Sequence, residues 1–413
     1  MSAPVFEAAA LAAVLGAAAF VGARRSIRAG LALLALYAVQ GACAIWISRS
    51  LADGPRATAA RLALLAALVG VLAHRLATYA FSRPPAARDR LIVPVVHVAQ
   101  AWLFLELAAW PFRVLMLPDG PAVDALAVWG ALAFSAIGLM WTHRRPVTTR
   151  IHASVRALGR PLRVVHLSDL HLGPYLSEDR LSWLVEAVQS ERPDLIALTG
   201  DFLTLRTLHD WDPVLRFVER LQAPDGVFAC LGNHDVPVAD ALSRTLRARG
   251  VTVLRDEVTW VGAGHARIAV AGLDWRSGPG APQAYGKALA RLCQAAGPAG
   301  PAIVLCHQPA VFRLAPRAFG GIMLAGHLHG GQVGLRWRGR GVSVLRLFGL
   351  YDQGLFARGA AWLYSHRGTG VYGFPIRVGV PAEIAVLDLA PAGAEGRPPA
   401  PLLASGTNGA AGW

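Results

Sequence analysis

Cysteine is scarce in this chain, and none of it is paired. Cys43, Cys230, Cys293 and Cys306 form no C-x-x-C element, which excludes a disulfide framework and a thiolate zinc site. No zinc-finger, helix-turn-helix or RNA-binding signature accompanies the net charge of +14, so nucleic acid is not an expected partner. Many of the arginines instead flank apolar segments, where they orient helices and meet anionic headgroups. No basic n-region precedes the first apolar stretch and further stretches follow it directly, so it reads as retained rather than as a cleaved signal peptide. The apolar part shows no internal repeat, which weakens a transporter reading.

What the chain has in excess is apolar residues. They make up 54% of the 413 positions, too many for a soluble protein of this size. Residues 1–141 contain five stretches near the roughly 20 residues that a spanning helix needs, at 5–23, 29–47, 62–81, 91–110 and 123–141. The fourth carries Pro94, His97 and Glu106, and Glu106 reads as a polar contact between helices ahead of a lipid-headgroup or ion site. If all five span, the loops with Arg24, Arg25 and Arg28, with Arg83, Arg88 and Arg90, and with Arg144, Arg145 and Arg150 share one side. The opposite side holds Arg49, Arg56 and Arg61 in one loop and Arg113 in the other. That balance predicts an outside amino terminus and a cytoplasmic carboxyl-terminal domain.

Four regions follow from the change in character: a transmembrane helical domain over 1–141, a basic juxtamembrane linker over 142–160, an α/β domain over 161–389, and a disordered tail over 390–413 rich in Pro, Gly and Ala. In the α/β domain, short β-rich runs predict strands at 162–166, 195–199, 227–231, 268–272, 302–306 and 322–325. Helical periodicity fits 178–190, 213–221, 239–249 and 283–295. After Gly330 it disappears, and runs around 342–347, 361–365 and 384–389 read as strands of a second sheet.

The polar residues gather where these strands end. Leu167-Ser168-Asp169-Leu170-His171-Leu172-Gly173 follows the first strand, and open α/β sheets place their ligand-binding groups in such loops. Thr199-Gly200-Asp201, Gly232-Asn233-His234-Asp235, Cys306-His307-Gln308-Pro309 and Gly326-His327-Leu328-His329-Gly330-Gly331 each follow another. Any one of them can be a turn or a satisfied core histidine; their joint occurrence points to a site. Asp169, His171, Asp201, Asn233, His307, His327 and His329 are seven donors, too many for one catalytic ion that keeps an open position. They suit two ions sharing a carboxylate, roughly 3.5–4 Å apart, which would polarise a bridging hydroxide for in-line displacement at phosphorus. Mixed carboxylate and imidazole donors suit Mn first, with Fe or Zn as alternatives.

In this order, D-x-H, G-D, G-N-H-D, a lone His and G-H-x-H over residues 162–389 resemble the calcineurin-like metallophosphoesterase superfamily. The resemblance implies a two-sheet α/β/β/α sandwich, here preceded by an all-α transmembrane bundle. It implies that Asp169, His171, Asp201 and His329 bind one ion, and that Asp201 bridges to a second completed by Asn233, His307 and His327. It gives His234 the scissile phosphate to stabilise and the leaving oxygen to protonate. The run 326–332, Gly349-Leu350-Tyr351, Arg367-Gly368-Thr369-Gly370 and Pro375-Ile376-Arg377 are similar to the membrane-associated bacterial branch of YkuE-like and UDP-2,3-diacylglucosamine pyrophosphatase-type enzymes, which implies residence in a bacterial inner (plasma) membrane. The G-D-x-x-D-R-G of protein phosphatases is missing, because Gly200-Asp201 continues as Phe202-Leu203-Thr204-Leu205-Arg206.

Outside these motifs, Asp274 is placed either to orient a histidine ligand or to cap a turn, and Asp235 to accept structural hydrogen bonds. Arg336, Arg338 and Arg340 would meet a substrate phosphate, the membrane surface or solvent, and Cys230 and Cys306 are core hydrophobes. The expected protein is a membrane-anchored, dinuclear phosphohydrolase that cleaves phosphodiester or pyrophosphate bonds of a lipid-linked substrate, its partners being that substrate and the bilayer. The alternatives are a phosphomonoesterase on a soluble substrate and a decayed membrane scaffold. Retention of all seven donors and His234 disfavours the scaffold.

Overall fold

The computed structural model describes residues 133–392, apart from 134–136, 139, 143, 173–175, 177, 205–210, 265–266, 338–339 and 372–375. The expected bundle over 1–141 therefore lies outside the described residues, save a few positions at its end, and so does the tail from 393. Among the described residues no helix is long and apolar enough to cross a membrane. The chain divides into two compact units, Met1–Met140 with Phe374–Ile376 and Trp141–Gly373 with Arg377–Trp413. The second unit carries the polar motifs at the strand ends.

Its strands and main helices follow in the order β1 (Val147–Val155), β2 (Leu162–Leu167), α1 (Glu178–Ser190), β3 (Leu195–Thr199), α2 (Asp212–Glu219), β4 (Val227–Cys230), α3 (Ala239–Ala248), β5 (Val251–Val253), β6 (Glu257–Val261), β7 (Ile268–Gly272), α4 (Ala281–Ala296), β8 (Ile303–Leu305), β9 (Ile322–Ala325), β10 (Gly334–Trp337), β11 (Arg340–Ser343), α5 (Val344–Leu347), β12 (Gly354–Arg358), β13 (Ala361–Ser365) and β14 (Glu383–Pro391). One six-stranded sheet has the order β1-β14-β2-β3-β4-β5, and the other β12-β13-β9-β8-β7-β6.

Continuous apolar runs place the central strands inside. Every residue of β3, β7, β8 and β9 is buried, the pattern of parallel strands covered on both faces. Period-two alternation then sorts their side chains into layers. Val165, Leu167, Ile196 and Leu198 pack under α1, α2 and α3 through Leu184, Val188, Val218 and Leu246. Val164, Leu195, Ala197 and Phe228 turn the other way, onto Ile268, Val270, Ile303 and Ile322 of the second sheet. The far face of that sheet, with Ala271, Val304 and Met323, is covered by Leu289 and Leu292 of α4. These layers form the expected α/β/β/α sandwich.

Several expectations are corrected. The stretch read as a polar linker contains β1, in which Ile151, Ala153 and Val155 are buried while alternate residues face outward. Its arginines and threonines hide the β pattern, because half of an edge strand faces water. β14 belongs to the first sheet, where it runs parallel to β1 and antiparallel to β2. It also extends to Pro391, past the expected start of the tail. The second sheet begins long before Gly330, at β6. The run at 342–347 ends β11 and becomes the short helix α5.

Candidate metal centre

Parallel pairing of β2, β3 and β4 brings their carboxyl ends to one edge, and that of β7, β8 and β9 does the same in the second sheet. The loops are stitched by backbone bonds. Asp169 N–H donates to Gly200 O, His171 N–H to Asp201 O, and Gly326 N–H to His307 O. Asp169, His171, Asp201, His327 and His329 all have positive φ, between 44° and 71°. Asp and His enter that region more readily than most residues, yet strain of order 1 kcal/mol each persists only where surroundings over-determine it. Glycine is required beside them: a Cβ on Gly232 would collide with Asp201, and one on Gly326 with Ser168 and Asp169.

The structure gathers six of the seven sequence-predicted donors into two clusters and sets the seventh, Asn233, beside them. Asp169, His171 and His329 form one, and Asp201, His307 and His327 the other; within each, the donor atoms lie within 4.8 Å of one another. Asp201 faces both, its Oδ2 lying 3.2 Å from His307 Nε2 and 3.5 Å from His171 Nε2. His329 Nε2 is 3.2 Å from Asp169 Oδ1 and 3.1 Å from His171 Nε2. Asn233 Oδ1 lies 2.9 Å from His327 Nδ1. His234 joins the rim: its N–H donates to Asp201 Oδ1 at 2.9 Å, and its ring Nε2 is 4.0 Å from Asp201 Oδ2.

The donor set fits cations. His307 Nδ1 lies 2.6 Å from Thr199 O, and a carbonyl only accepts, so the proton sits on Nδ1. A neutral ring then turns its Nε2 lone pair toward the Asp201 carboxylate, and two electron-rich atoms need positive charge between them. Burial opposes charge on His307, but Asp201 and Asp169 outweigh it and push its pKa up to about 10, so the ring is neutral only where a cation replaces the proton that the carboxylates otherwise draw onto Nε2. Burial dominates at the neighbours, taking His171 down to about 3 and His327 to about 4 despite the carboxylates. Neutral imidazoles and ionised carboxylates crowded out of water are the environment that divalent cations satisfy.

Asp235 has the structural role expected of it. Its carboxylate accepts from the N–H groups of Asp201 (2.8 Å), Leu203 (3.2 Å) and Gly232 (2.9 Å), locking the G-D loop to the G-N-H-D loop. Burial and Asp201 push its pKa up to about 7. Asp274 orients no histidine; it grips Arg255 Nε at 3.0 Å and Nη2 at 2.8 Å, and accepts from Trp275 N–H. The adjacent Trp275 packs beside the site, its ring centroid 5.6 Å from that of His307 and 5.0 Å from that of His327. Cys230 and Cys306 are buried, as expected of small core hydrophobes.

Two supports were not anticipated. Arg377 is buried, with Nη2 donating to the carbonyls of Arg367 (2.9 Å) and Gly370 (2.7 Å) and lying 3.4 Å from His329 Nδ1. The loop it holds grips the D-x-H loop, because Thr369 N–H donates to Ser168 O and Gly370 N–H to Asp169 O. Beneath lies Glu383, which accepts from Tyr364 OH (2.8 Å), Arg367 N–H (3.1 Å) and Arg367 Nη2 (2.6 Å). The Pro375-Ile376-Arg377 motif was the available signal for the first; Glu383 has none, since its partners are distant in sequence.

A family model described as calcineurin-like phosphoesterase matches residues 162–331. The metallophosphoesterase YkuE of Bacillus subtilis is 30% identical over 232 residues, 55% of this chain and 78% of that protein. Phosphodiesterase YaeI of Escherichia coli is 28% identical over 236 residues, 55% of this chain and 82% of that one. A transmembrane protein with metallophosphoesterase domain from Bos taurus is 28% identical over 286 residues, covering 64% and 62% of the two chains. With motifs, sandwich and clustered donors in agreement, the chain belongs to the calcineurin-like metallophosphoesterase family, hydrolases acting on phosphoester bonds.

Proposed function

We propose that this chain is a dinuclear phosphodiesterase or pyrophosphatase working on a lipid-linked substrate at a membrane. The observation that carries the metal reading is the Asp201 carboxylate between the two clusters, 3.2 Å from His307 and 3.5 Å from His171. One ion would be held by Asp169, His171, Asp201 and His329, and the other by Asp201, Asn233, His307 and His327. Mn2+ is the preferred metal, with Fe or Zn as alternatives. Bound there, two divalent cations supply Lewis-acid charge to the phosphoryl group and to the attacking water.

The chain's own residues do the positioning. Thr199 fixes the His307 ring, Asp235 fixes the two loops around Asp201, and Asn233 turns its carbonyl oxygen to His327. His234 stands at the rim, its ring Nε2 4.0 Å from Asp201 Oδ2, where it would donate to a phosphoryl oxygen and hand a proton to the departing one. The lipid part of the reading is supported by the five apolar stretches in the sequence of 1–141 and by the transmembrane name of the Bos taurus relative. The arginine balance supports a cytoplasmic catalytic domain.

Hydrolysis by the detergent-purified full-length protein tests this. With Mn2+, wild type should cleave an aryl phosphodiester and a lipid-linked pyrophosphate. His234→Ala should keep its metal and lose about 10²–10⁴-fold in turnover, the range for a general acid. Undiminished turnover in that variant would remove His234 from the mechanism, and equal rates on soluble and lipid-linked substrates would remove the lipid.

A further inference from the structure

The segment that leaves the His329 loop has its faces reversed for a hairpin in water. β10 and β11 pair only with each other among the described residues, antiparallel, with Gly334 opposite Ser343 and Leu335 opposite Val342. Residues directly opposite share a face, and so do residues two apart along a strand. The face with Gly334 and Ser343 turns inward: Ser343 is buried, its hydroxyl donating to Asp352 at 2.9 Å, and a Cβ on Gly334 would press on Val380. The outward face is apolar, with Leu335 79%, Val333 42% and Val342 38% exposed. Phe348, just past α5, is 74% exposed, and it and Leu335 are the most exposed large apolar side chains among the described residues. A half-exposed antiparallel pair ordinarily shows the opposite alternation, polar side out.

Charge says what covers this face. Between Asp274 and Asp352 the sequence has no acidic residue and nine Lys or Arg, of which Arg336, Arg338 and Arg340 fall within 334–343. Asp352 itself is buried against Ser343 and Arg346. Exposed apolar side chains in a stretch whose charged residues are all arginines match an anionic bilayer, where apolar groups enter the boundary between headgroups and acyl chains and arginines meet lipid phosphates.

We propose that the β10–β11 hairpin, together with Phe348, docks the catalytic domain onto an anionic lipid surface. The hairpin continues directly from the His329 loop, so the docked surface brings lipid-borne phosphoesters to the candidate centre. In its consequence for activity, this rests on the lipid-linked reading given above.

Two measurements on the full-length protein in lipid nanodiscs test it. An environment-sensitive fluorophore on Leu335→Cys, in a chain with Cys43→Ser and Cys293→Ser, should shift to the blue and be quenched by nitroxide lipids. The quenching should be at least threefold stronger in discs containing phosphatidylserine than in phosphatidylcholine alone, and the same label on Trp260→Cys should respond to neither. Leu335→Asp with Phe348→Asp should lose at least tenfold in rate on a long-chain phosphodiester in phosphatidylserine vesicles and stay within twofold of wild type on bis(4-nitrophenyl) phosphate. A label equally solvated in both discs overturns the proposal, whatever the rates. A label that becomes shielded only as protein concentration rises in lipid-free detergent also overturns it, in favour of a second copy of the chain. Quenching that follows phosphatidylserine in a protein inert on both substrates supports the docking and defeats the phosphodiesterase reading instead.

Discussion

At the scale of single residues, the donors were legible because their chemistry is written locally. Asp169, His171, Asp201 and the G-H-x-H pair each follow an apolar strand and stand beside the glycine that lets the loop turn. Their supports were not, since Thr199, Trp275, Arg377 and Glu383 matter only through neighbours the fold brings from elsewhere. Glu383 allows a prediction. Burial would raise its pKa, but Arg367 and His366 hold it down at about 2, below the ordinary carboxylate value. The folded state therefore binds this proton less readily than the unfolded chain, and the resulting stability is present above pH 4.5 and is lost as pH falls toward 2. Glu383→Gln should cost about 3–5 kcal/mol at pH 7, the cost of orphaning a buried charge such as Arg367. It should also flatten the acid limb of the unfolding curve between pH 4.5 and 2. Unfolding monitored against pH in both proteins checks the two effects, and an unchanged acid limb would show that Glu383 is not ionised in the fold.

At the scale of elements, the buried parallel strands were readable as unbroken apolar runs, with boundaries that shift by a residue or two. Edge strands were less so. β1 alternates Ile151, Ala153 and Val155 with polar residues, and its charged exterior made it resemble linker. β14 was assigned to the wrong sheet because neighbours in sequence are usually neighbours in space, and here the last strand crosses back to lie between β1 and β2. The correction has a consequence for truncation. Starting the chain at 156 would strip β14 of a nine-residue parallel partner and leave a buried strand as an open edge. A chain from 156 should aggregate where one from 142 stays soluble, as size-exclusion chromatography would show; equal behaviour would mean that β1 is dispensable. Ile151→Ala, a smaller insult to the same edge, should lower unfolding stability by about 2–4 kcal/mol through the cavity it leaves.

At the scale of the molecule, the sandwich sets two rows of parallel strand ends against each other, so that loops from both sheets meet over one buried patch of carboxylates and imidazoles. Family, fold and chemistry class follow from that meeting, and the sequence order of the motifs foreshadowed it. The choice of substrate does not follow from the motifs; it depends on surfaces such as the β10–β11 hairpin, whose apolar side could not be told from a core strand by pattern alone. Asp201 faces both clusters and is the residue a two-metal centre needs most. The direct test is metal content of purified wild type and Asp201→Asn, with hydrolysis of an aryl phosphodiester measured on the same samples. Wild type should hold two divalent ions per chain, and the variant should hold fewer than one and lose at least about 10³-fold in rate, as expected when the shared charge of a two-metal site is removed. Two ions retained in Asp201→Asn, or wild-type hydrolysis unaffected by chelation, would contradict it.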